Sequence, residues 1–384
     1  MGGQGILKLD GVKASNRRTV LLLLRRRASA SRVGLRRELG CDGTTITRII
    51  RGLIEEGIVA DAGATEATKG RPKELIAMNA QHRLAIGVEI DPQRLLGVVA
   101  DLKGGVRFRD QVALPPGLGQ AGLLESLDAL VARLRGHVDE RRLLGLAATT
   151  YGLRSADSQS IQTATYFPSL EGVNLREHFA QARAPRPLVV DGTFATAFCE
   201  LWLGDGMERG AAALVSLGMG IGGIIALDGH LVFHRGGYAG EFGHLVIDPA
   251  GPRCPCGRRG CVEAFCAIPA LESQAGKPFA ELVGHYRRGE AQAVALVDAS
   301  AERLGLALGN LVNLILPGKI TLSGELLELG DAYFAKVEAA TRRVAFPVLA
   351  ADTTLCRSAF GDEAPALGAA MLLVRDFLEG DAPE

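Results

Sequence analysis

The stretch "GEFGHLVIDPAGPRCPCGRRGCVEAF", residues 240–265, gathers side chains that bind metals and polar ligands. It holds one histidine, three cysteines and two glutamates. His244 precedes Cys254 by ten residues, and Cys256 and Cys261 follow. One imidazole and three thiolates form a closed tetrahedral set of the kind that structural Zn²⁺ prefers, and the glycines between them let the loop fold around an ion. The alternative is a set of ordinary reduced cysteines beside one histidine.

The composition of the chain indicates a soluble globular protein. Its 384 residues suggest two or three domains, and 47% of them are hydrophobic against 22% charged. No apolar run approaches the ~18–20 residues that a membrane span needs, and the N-terminus lacks the apolar core of a signal peptide. We therefore expect a cytoplasmic protein whose seven cysteines are reduced. The cysteines outside the cluster are interpreted as buried small hydrophobic residues: Cys41, Cys199, Cys266 and Cys356.

Charge is distributed unevenly along a chain whose formal net charge is zero. Residues 1–83 contain 16 Lys and Arg against 8 Asp and Glu, and the remaining 301 residues contain 27 against 35. A basic segment on an acidic body suggests a polyanionic partner for that segment alone. The alternative is a solvated basic face.

The basic segment has the pattern of a helix-turn-helix. We predict a first helix from about residue 15, a second over about 32–39 capped by Ser31, and a third from the cap residue Asp42 to about residue 56. One face of the third helix is apolar, and the other carries Thr44, Thr45, Thr47, Arg48 and Arg51. Such residues suit a recognition helix, because Arg bonds guanine edges and Thr reaches bases or phosphate. The alternative is a helical protein-interaction domain.

A hairpin is predicted after the third helix. "IVADAG" and "KELIAMN" can pair as the wing of a winged helix, with "KGRPK" at its tip. Lys69 and Arg71 at this tip are candidates for contacts with backbone phosphate or the minor groove. The recognition helix and the basic wing together favour a double-stranded DNA operator as the partner of this segment.

The rest of the chain alternates apolar runs with helical patterns, in an order that occurs twice. This alternation predicts two α/β lobes with a cleft between them, and ligands bind at such clefts.

Three motifs carry a family resemblance: "GEFGH", "CPCGRRGCVEAF" and, upstream, "LGMGIGGIIALDG". Together they resemble the ROK family of repressors, open reading frames and sugar kinases, over essentially the whole chain. "NRR" and "GRP" in the basic segment are similar to the family's repressor branch. The resemblance implies an α/β, two-lobed, actin-like ATPase or ROK sugar-kinase fold preceded by a winged helix-turn-helix domain. It implies these boundaries: winged helix 1–78, first lobe 79–190 completed by a C-terminal helix at about 362–384, and second lobe 191–361 with the zinc site.

The resemblance also implies roles for single residues. It identifies His244, Cys254, Cys256 and Cys261 as ligands of a structural Zn²⁺, and Glu241, His244 and Glu263 as residues that hydrogen-bond a sugar. His244 can serve both roles through its two ring nitrogens. The two glutamates have the alternative of being plain surface carboxylates.

The sequence departs from the family pattern at the positions where a sugar kinase binds the nucleotide phosphates and carries its catalytic base. Pro92 and Gln93 stand where a first phosphate loop has small residues, and proline removes a backbone donor. With the register fixed on Glu200, Gly192 stands where the family has its catalytic Asp. Asp191 is one residue early, so a one-residue slip leaves it open as a base, although we expect it to bind a sugar hydroxyl. Two further departures are Met219 in the second phosphate loop and "SGE" at 323–325.

The sequence therefore predicts a sugar-responsive transcriptional regulator, most simply a repressor of genes for carbohydrate uptake or catabolism, and no enzyme activity. A palindromic operator requires a homodimer or homotetramer. One alternative is an active ROK sugar kinase, phosphorylating a hexose with ATP, that carries an appended DNA-binding domain. Another is a regulator that senses a protein partner instead of a sugar.

Overall fold

The computed structural model describes residues 9–64, 74–155, 160–164, 166–204, 210–232 and 240–380. Among these residues no helix has both the length and the apolar character that a membrane span requires.

The N-terminal unit consists of three helices and a small sheet. Its elements are α1 (Leu9–Arg26), β1 (Ala30–Ser31), α2 (Arg32–Leu39), α3 (Gly43–Glu55), β2 (Val59–Ala64) and β3 (Glu74–Met78). The predicted caps are present: the hydroxyl of Ser31 accepts from the Gly34 amide at 3.1 Å, and Asp42 accepts from the Thr45 amide at 2.8 Å. β2 and β3 pair as an antiparallel hairpin, as expected of a wing.

Helix α1 begins at Leu9, earlier than predicted. Ser15 is a good cap residue, but here it lies inside the helix, and its carbonyl accepts from the Thr19 hydroxyl at 2.9 Å. A residue of this type also fits a helix interior when flanking residues continue the helix, so the signal for a start was ambiguous.

The first lobe is built on a five-stranded sheet with the order β10-β7-β4-β5-β6. Its elements are β4 (Leu84–Ile90), β5 (Arg94–Asp101), β6 (Val106–Ala113), α4 (Gln120–Arg135), β7 (Leu143–Thr150), β8 (Leu153–Arg154), β9 (Ile161–Thr163), α5 (Leu175–Gln181) and β10 (Leu188–Asp191). Strands β4, β5 and β6 are antiparallel neighbours, whereas β7 and β10 join in parallel. Every residue of β4 and β7 is buried, which their continuous apolar runs required.

The second lobe repeats this plan, with the strand order β13-β12-β11-β14-β15. Its elements are α6 (Gly192–Leu203), β11 (Ala211–Leu217), β12 (Ile221–Leu227), β13 (His230–Val232), α7 (Val262–Cys266), α8 (Ile268–Ala275), α9 (Phe279–Arg287), α10 (Ala291–Ile315), β14 (Pro317–Ser323), α11 (Asp331–Val344), α12 (Pro347–Asp352) and β15 (Thr354–Arg357). The last helix, α13 (Ala364–Glu379), returns to the sheet of the first lobe, where it packs on β4 and α6. The repeated meander confirms the two-lobed prediction.

Helix α13 is in close contact with α6 on one side and with β4 on the other. A Cβ atom at Gly368 would stand 1.9 Å from the carbonyl oxygen of Ala195 in α6, and a Cβ at Gly87 in β4 would stand 1.9 Å from that of Ala366. Only glycine permits such an approach. One hydrophobic core runs from α1 and α3 through this region, so the N-terminal unit and the first lobe share buried side chains.

Candidate functional site

The His/Cys cluster comes together as predicted. The ligand atoms of His244, Cys254, Cys256 and Cys261 all lie within 4.8 Å of one another. Sγ of Cys256 is 3.7 Å from Sγ of Cys261, and Sγ of Cys254 is 3.6 Å from Nδ1 of His244. A tetrahedral Zn²⁺ with its usual bond lengths separates two sulfurs by about 3.8 Å and a sulfur from a nitrogen by about 3.5 Å. The donor set and its spacing therefore fit a metal ion of this kind.

Backbone hydrogen bonds shape the loop that carries the cluster. The amide of Cys254 donates to the carbonyl of Arg258 at 2.8 Å, and the amide of Ile247 donates to that of Gly260 at 2.9 Å. Gly260 has a φ of +72°, and a Cβ there would lie 1.6 Å from the Asp248 carbonyl oxygen. The glycine is thus required for the turn that delivers Cys261 to the other ligands.

His244 presents its two nitrogens to different surroundings. Nδ1 faces the cluster, whereas Nε2 lies 3.8 Å from a carboxylate oxygen of Glu241, whose side chain is 57% exposed. A metal on Nδ1 would fix the ring and leave Nε2 free for hydrogen bonding to a ligand. The structure therefore places two of the predicted sugar-binding side chains beside each other.

Glu263 lies two residues beyond Cys261, on α7, and is 7% exposed. One oxygen accepts from the Ile221 amide at 3.0 Å, and the other lies 3.3 Å from the hydroxyl of Tyr166 and 4.0 Å from Sγ of Cys254. The carboxylate is buried beside the cluster. The alternative interpretation of this residue as a surface carboxylate was therefore wrong.

Asp191, the remaining predicted sugar-binding residue, is carried by different elements from the His/Cys cluster. It ends β10 and caps α6, where its carboxylate accepts from the Phe194 amide at 2.9 Å. The next residue is Gly192, and a Cβ there would lie 3.4 Å from the ring of Tyr151. Tyr151 in turn donates to Glu89 at 3.1 Å.

Glu89 is a buried carboxyl that sequence reasoning missed. It is 4% exposed at the end of β4. Burial, followed by the nearby charge of Asp91, raises the pKa of Glu89 to about 7. Arg94 lies 3.4 Å from Glu89 but makes its closer contact, 2.7 Å, with Asp362. No sequence motif predicts this carboxyl, because its raised pKa arises from residues that surround it only in the folded protein.

The two loops that the sequence marked as altered phosphate loops face each other. The side-chain nitrogen of Gln93 lies 3.8 Å from Sδ of Met219. The carboxylate of Asp91 accepts from the Gln93 amide at 2.9 Å, so this backbone donor is already used within its own loop. Burial raises the pKa of Asp91.

Helix α3 exposes part of its predicted DNA-binding face. Thr44, Arg48 and Arg51 are exposed and lie on one side of the helix. Thr45 and Thr47 are half-buried, and their hydroxyls bond Asp42 at 2.7 Å and the Gly43 carbonyl at 2.8 Å. The predicted wing-tip residues Lys69 and Arg71 lie outside the described residues.

The fold and the site together define a class. This is a two-lobed α/β protein of the sugar-kinase type, with a His/Cys cluster that could hold a metal ion, joined to an N-terminal unit of helix-turn-helix form.

The chain belongs to the ROK family, whose sequence model matches residues 85–376. It is 22% identical over 377 residues to a xylose repressor from Bacillus spizizenii, covering 96% of this chain and 97% of that protein. A crystal structure of a ROK family transcriptional regulator, a homologue of the Escherichia coli MLC protein, is similar with a TM-score of 0.78 and 24% identity, over 96% of this chain and 98% of that one. A ROK family glucokinase from Streptomyces griseus, in complex with glucose and AMPPNP, is similar with a TM-score of 0.65 and 24% identity, over 75% of this chain and 98% of that one.

Proposed function

We propose that this protein is a sugar-responsive, DNA-binding transcriptional regulator that represses genes of carbohydrate uptake or catabolism. The observation that carries this proposal is the folded N-terminal unit, with Thr44, Arg48 and Arg51 exposed on α3, sharing one core with a ROK body. The coverage of the relatives supports it. The glucokinase spans 75% of this chain, whereas the xylose repressor and the transcriptional regulator each span 96%.

The proposed cofactor is one structural Zn²⁺ held by His244, Cys254, Cys256 and Cys261. When bound, the ion would tie the loop before α7 to the turn that carries His244. The chain's own part is orientation, because the loop fixes the His244 ring with Nε2 toward Glu241.

The proposed effector is a monosaccharide or sugar derivative in the cleft. Glu241, His244 and Glu263 form one acceptor group around the metal cluster, and Asp191 stands at the start of α6. Carboxylates and imidazole nitrogen accept hydrogen bonds from hydroxyl groups, and adjacent hydroxyls match acceptors held at fixed spacing. A sugar that prefers one arrangement of the lobes would shift the population toward it, and through it the affinity for an operator.

We propose further that the protein does not phosphorylate its sugar. Gly192 supplies no side chain at the place of a catalytic base, and Asp191 is engaged as a helix cap. Gln93 and Met219 approach each other where phosphate loops would need open backbone. Pro92 adds a residue without an amide donor.

Three proposals concern organisation. Residues 1–78 form the DNA-binding domain, 79–190 with the C-terminal helix form the first lobe, and 191–361 form the second lobe. The operator is double-stranded and palindromic. The protein binds it as a homodimer or homotetramer, because two recognition helices are needed for two half-sites.

The test begins with selection of DNA sequences from a random duplex library by the purified protein. The selected duplex is then titrated in the presence of single pentoses, hexoses and amino sugars. We expect a bound sequence with two-fold symmetry, and one sugar that changes its affinity at least about fivefold, as typical coupling energies give. Absence of sequence preference would contradict the DNA-binding role, and relief of binding by a co-purifying protein alone would favour a protein effector.

A coupled assay of ATP turnover over the same sugars tests the enzyme alternative. We expect no sugar-dependent turnover. Turnover that Asp191→Asn abolishes would contradict the proposal and identify a kinase.

A further inference from the structure

A hydrogen bond crosses the cleft between the lobes. The hydroxyl of Tyr166 lies 3.3 Å from Oε1 of Glu263. Tyr166 is carried by the first lobe, because Phe167 and Leu170 beside it are buried in that lobe's core. Glu263 is carried by the second lobe, where its neighbour Val262 is fully buried. The hydroxyl of Tyr166 in the first lobe thus donates a hydrogen bond to the carboxylate of Glu263 in the second lobe.

The contact uses the oxygen of Glu263 that is not already committed. Oε2 accepts from the Ile221 amide at 3.0 Å inside the second lobe. Oε1 lies 4.0 Å from Sγ of Cys254, a longer contact than its 3.3 Å separation from the hydroxyl of Tyr166. The hydroxyl of Tyr166 therefore takes one of the two hydrogen bonds that Oε1 can accept, and an effector hydroxyl that approaches from the same direction competes with it.

Ala164 and Phe167, near Tyr166 in the sequence, are both anchored by hydrogen bonds. The Phe167 amide donates to the Ala164 carbonyl at 2.8 Å, and the Ala164 amide donates to the carboxylate of Glu171 at 3.0 Å. With these bonds intact, rotation of the Tyr166 side chain between rotamers would suffice to free Oε1 of Glu263.

We propose that Tyr166 is a specificity-determining residue of the effector site. Its hydroxyl holds the position on Glu263 that an effector hydroxyl takes, and it rotates away when the effector binds. This inference rests on the proposed function, since it needs a hydroxylated effector beside Glu263.

The replacement of the Tyr166 hydroxyl by an effector hydroxyl determines which class of effector binds. Replacing the hydroxyl of Tyr166 by one effector hydroxyl makes one hydrogen bond and breaks one, so that step alone gives little net affinity. The gain comes from further hydroxyls that reach Glu241 and Nε2 of His244 at the same time. Tyr166 therefore discriminates against ligands with one isolated hydroxyl and favours polyhydroxylated sugars.

The test compares Tyr166→Phe with the wild type by isothermal titration, using single pentoses, hexoses and amino sugars as probes. The variant keeps the ring and removes the competing hydroxyl. We expect the sugars that bind the wild type to bind the variant roughly tenfold more tightly, as the loss of one hydrogen bond to a charged acceptor predicts. Tyr286→Phe is the matched control, since Tyr286 lies on α9 in the core of the second lobe, and it should leave the affinity unchanged.

Equal or weaker binding by Tyr166→Phe overturns the inference while the proposed function stands. If none of the sugars binds either protein, the sugar-effector proposal and this inference fall together. Amide exchange at Ile221, measured without sugar, is a second readout. We expect faster exchange in Tyr166→Phe, because Glu263 loses the bond that holds it across the cleft, and unchanged exchange would count against the inference.

Discussion

Arg25 and Trp202 join the N-terminal unit to the body of the protein. Nη2 of Arg25 donates to the Trp202 carbonyl at 2.6 Å, and the guanidinium carbon lies 4.3 Å from the centroid of the indole ring. Arg25 is 6% exposed, and burial lowers its pKa to about 10. Trp202 lies near the end of α6, and Asp191 caps the beginning of the same helix. One helix therefore runs from the cleft to α1.

Arg25→Ala should uncouple the sugar from the operator. The substitution removes a buried hydrogen bond and a cation–π contact, and we expect a loss of about 2 kcal/mol in the free energy of unfolding. The factor by which a sugar changes operator affinity should fall toward one, as measured by operator titration with and without the sugar. Arg141→Ala, at a side chain that is 90% exposed, is the control. Unchanged coupling in Arg25→Ala would show that the signal takes another route.

Arg48→Ala should weaken operator binding about 5- to 150-fold, the range that 1–3 kcal/mol for a base contact gives. Arg48 is exposed on α3 and lies on the same face as Thr44 and Arg51. Gel-shift titration measures the operator affinity, and isothermal titration should show an unchanged affinity for the sugar. Equal loss of affinity on random duplexes would instead identify Arg48 as a phosphate contact.

Cys256→Ser should remove the metal. We expect about one zinc per chain in the wild type and close to none in the variant by elemental analysis, because three ligands seldom retain a structural zinc. Thermal stability should fall in parallel, and a chelator should lower it in the wild type. Cys356→Ser, outside the cluster, is the control. A fully folded wild type without zinc would overturn the site.

Glu89 should make stability depend on pH. Its pKa of about 7 in the folded protein lies above the ordinary value of 4.5, so between these values the folded state holds a proton that the unfolded chain releases. The free energy of unfolding therefore falls as pH rises through this window, by on the order of 3 kcal/mol. Glu325, with a pKa also raised to about 7 by burial, acts in the same direction.

Urea denaturation between pH 5 and 8 measures this dependence. Glu89→Gln should flatten the slope in part, with the contribution of Glu325 remaining. Glu125→Gln, at an exposed position of α4, should keep the wild-type slope. A wild type whose stability rises with pH in this range would contradict the prediction.

Features that depend on nearby residues could be predicted from the sequence. The caps of α2 and α3 join residues three positions apart, and the His/Cys cluster lies within 17 positions, so their spacing is visible along the chain. The two lobes could be predicted because the order of apolar runs repeats. The start of α1 was misjudged because Ser15 suits both a cap and a helix interior.

Contacts between residues far apart in the sequence could not be predicted from it. Tyr166 and Glu263 are 97 positions apart, Gln93 and Met219 126, and Arg25 and Trp202 177. In the sequence, Glu89 is a single acidic residue at the end of an apolar run. Its raised pKa results from burial in the fold, which the sequence does not show. Such pairings arise from the docking of lobes, which no local pattern encodes.

The close packing of α13 limits where this protein can change shape. With Gly87 and Gly368 in contact with backbone, β4, α13 and α6 have no room to slide past one another and move as a single block. The N-terminal unit is joined to that block by the shared hydrophobic core, and Arg18 on α1 pairs with Glu379 on α13 at 2.7 Å. An effector would therefore displace the part of the second lobe that follows α6 against this block, and α3 would keep its position relative to the first lobe. In the proposed oligomer, the orientation of α3 toward DNA would depend on how two such blocks are held relative to each other.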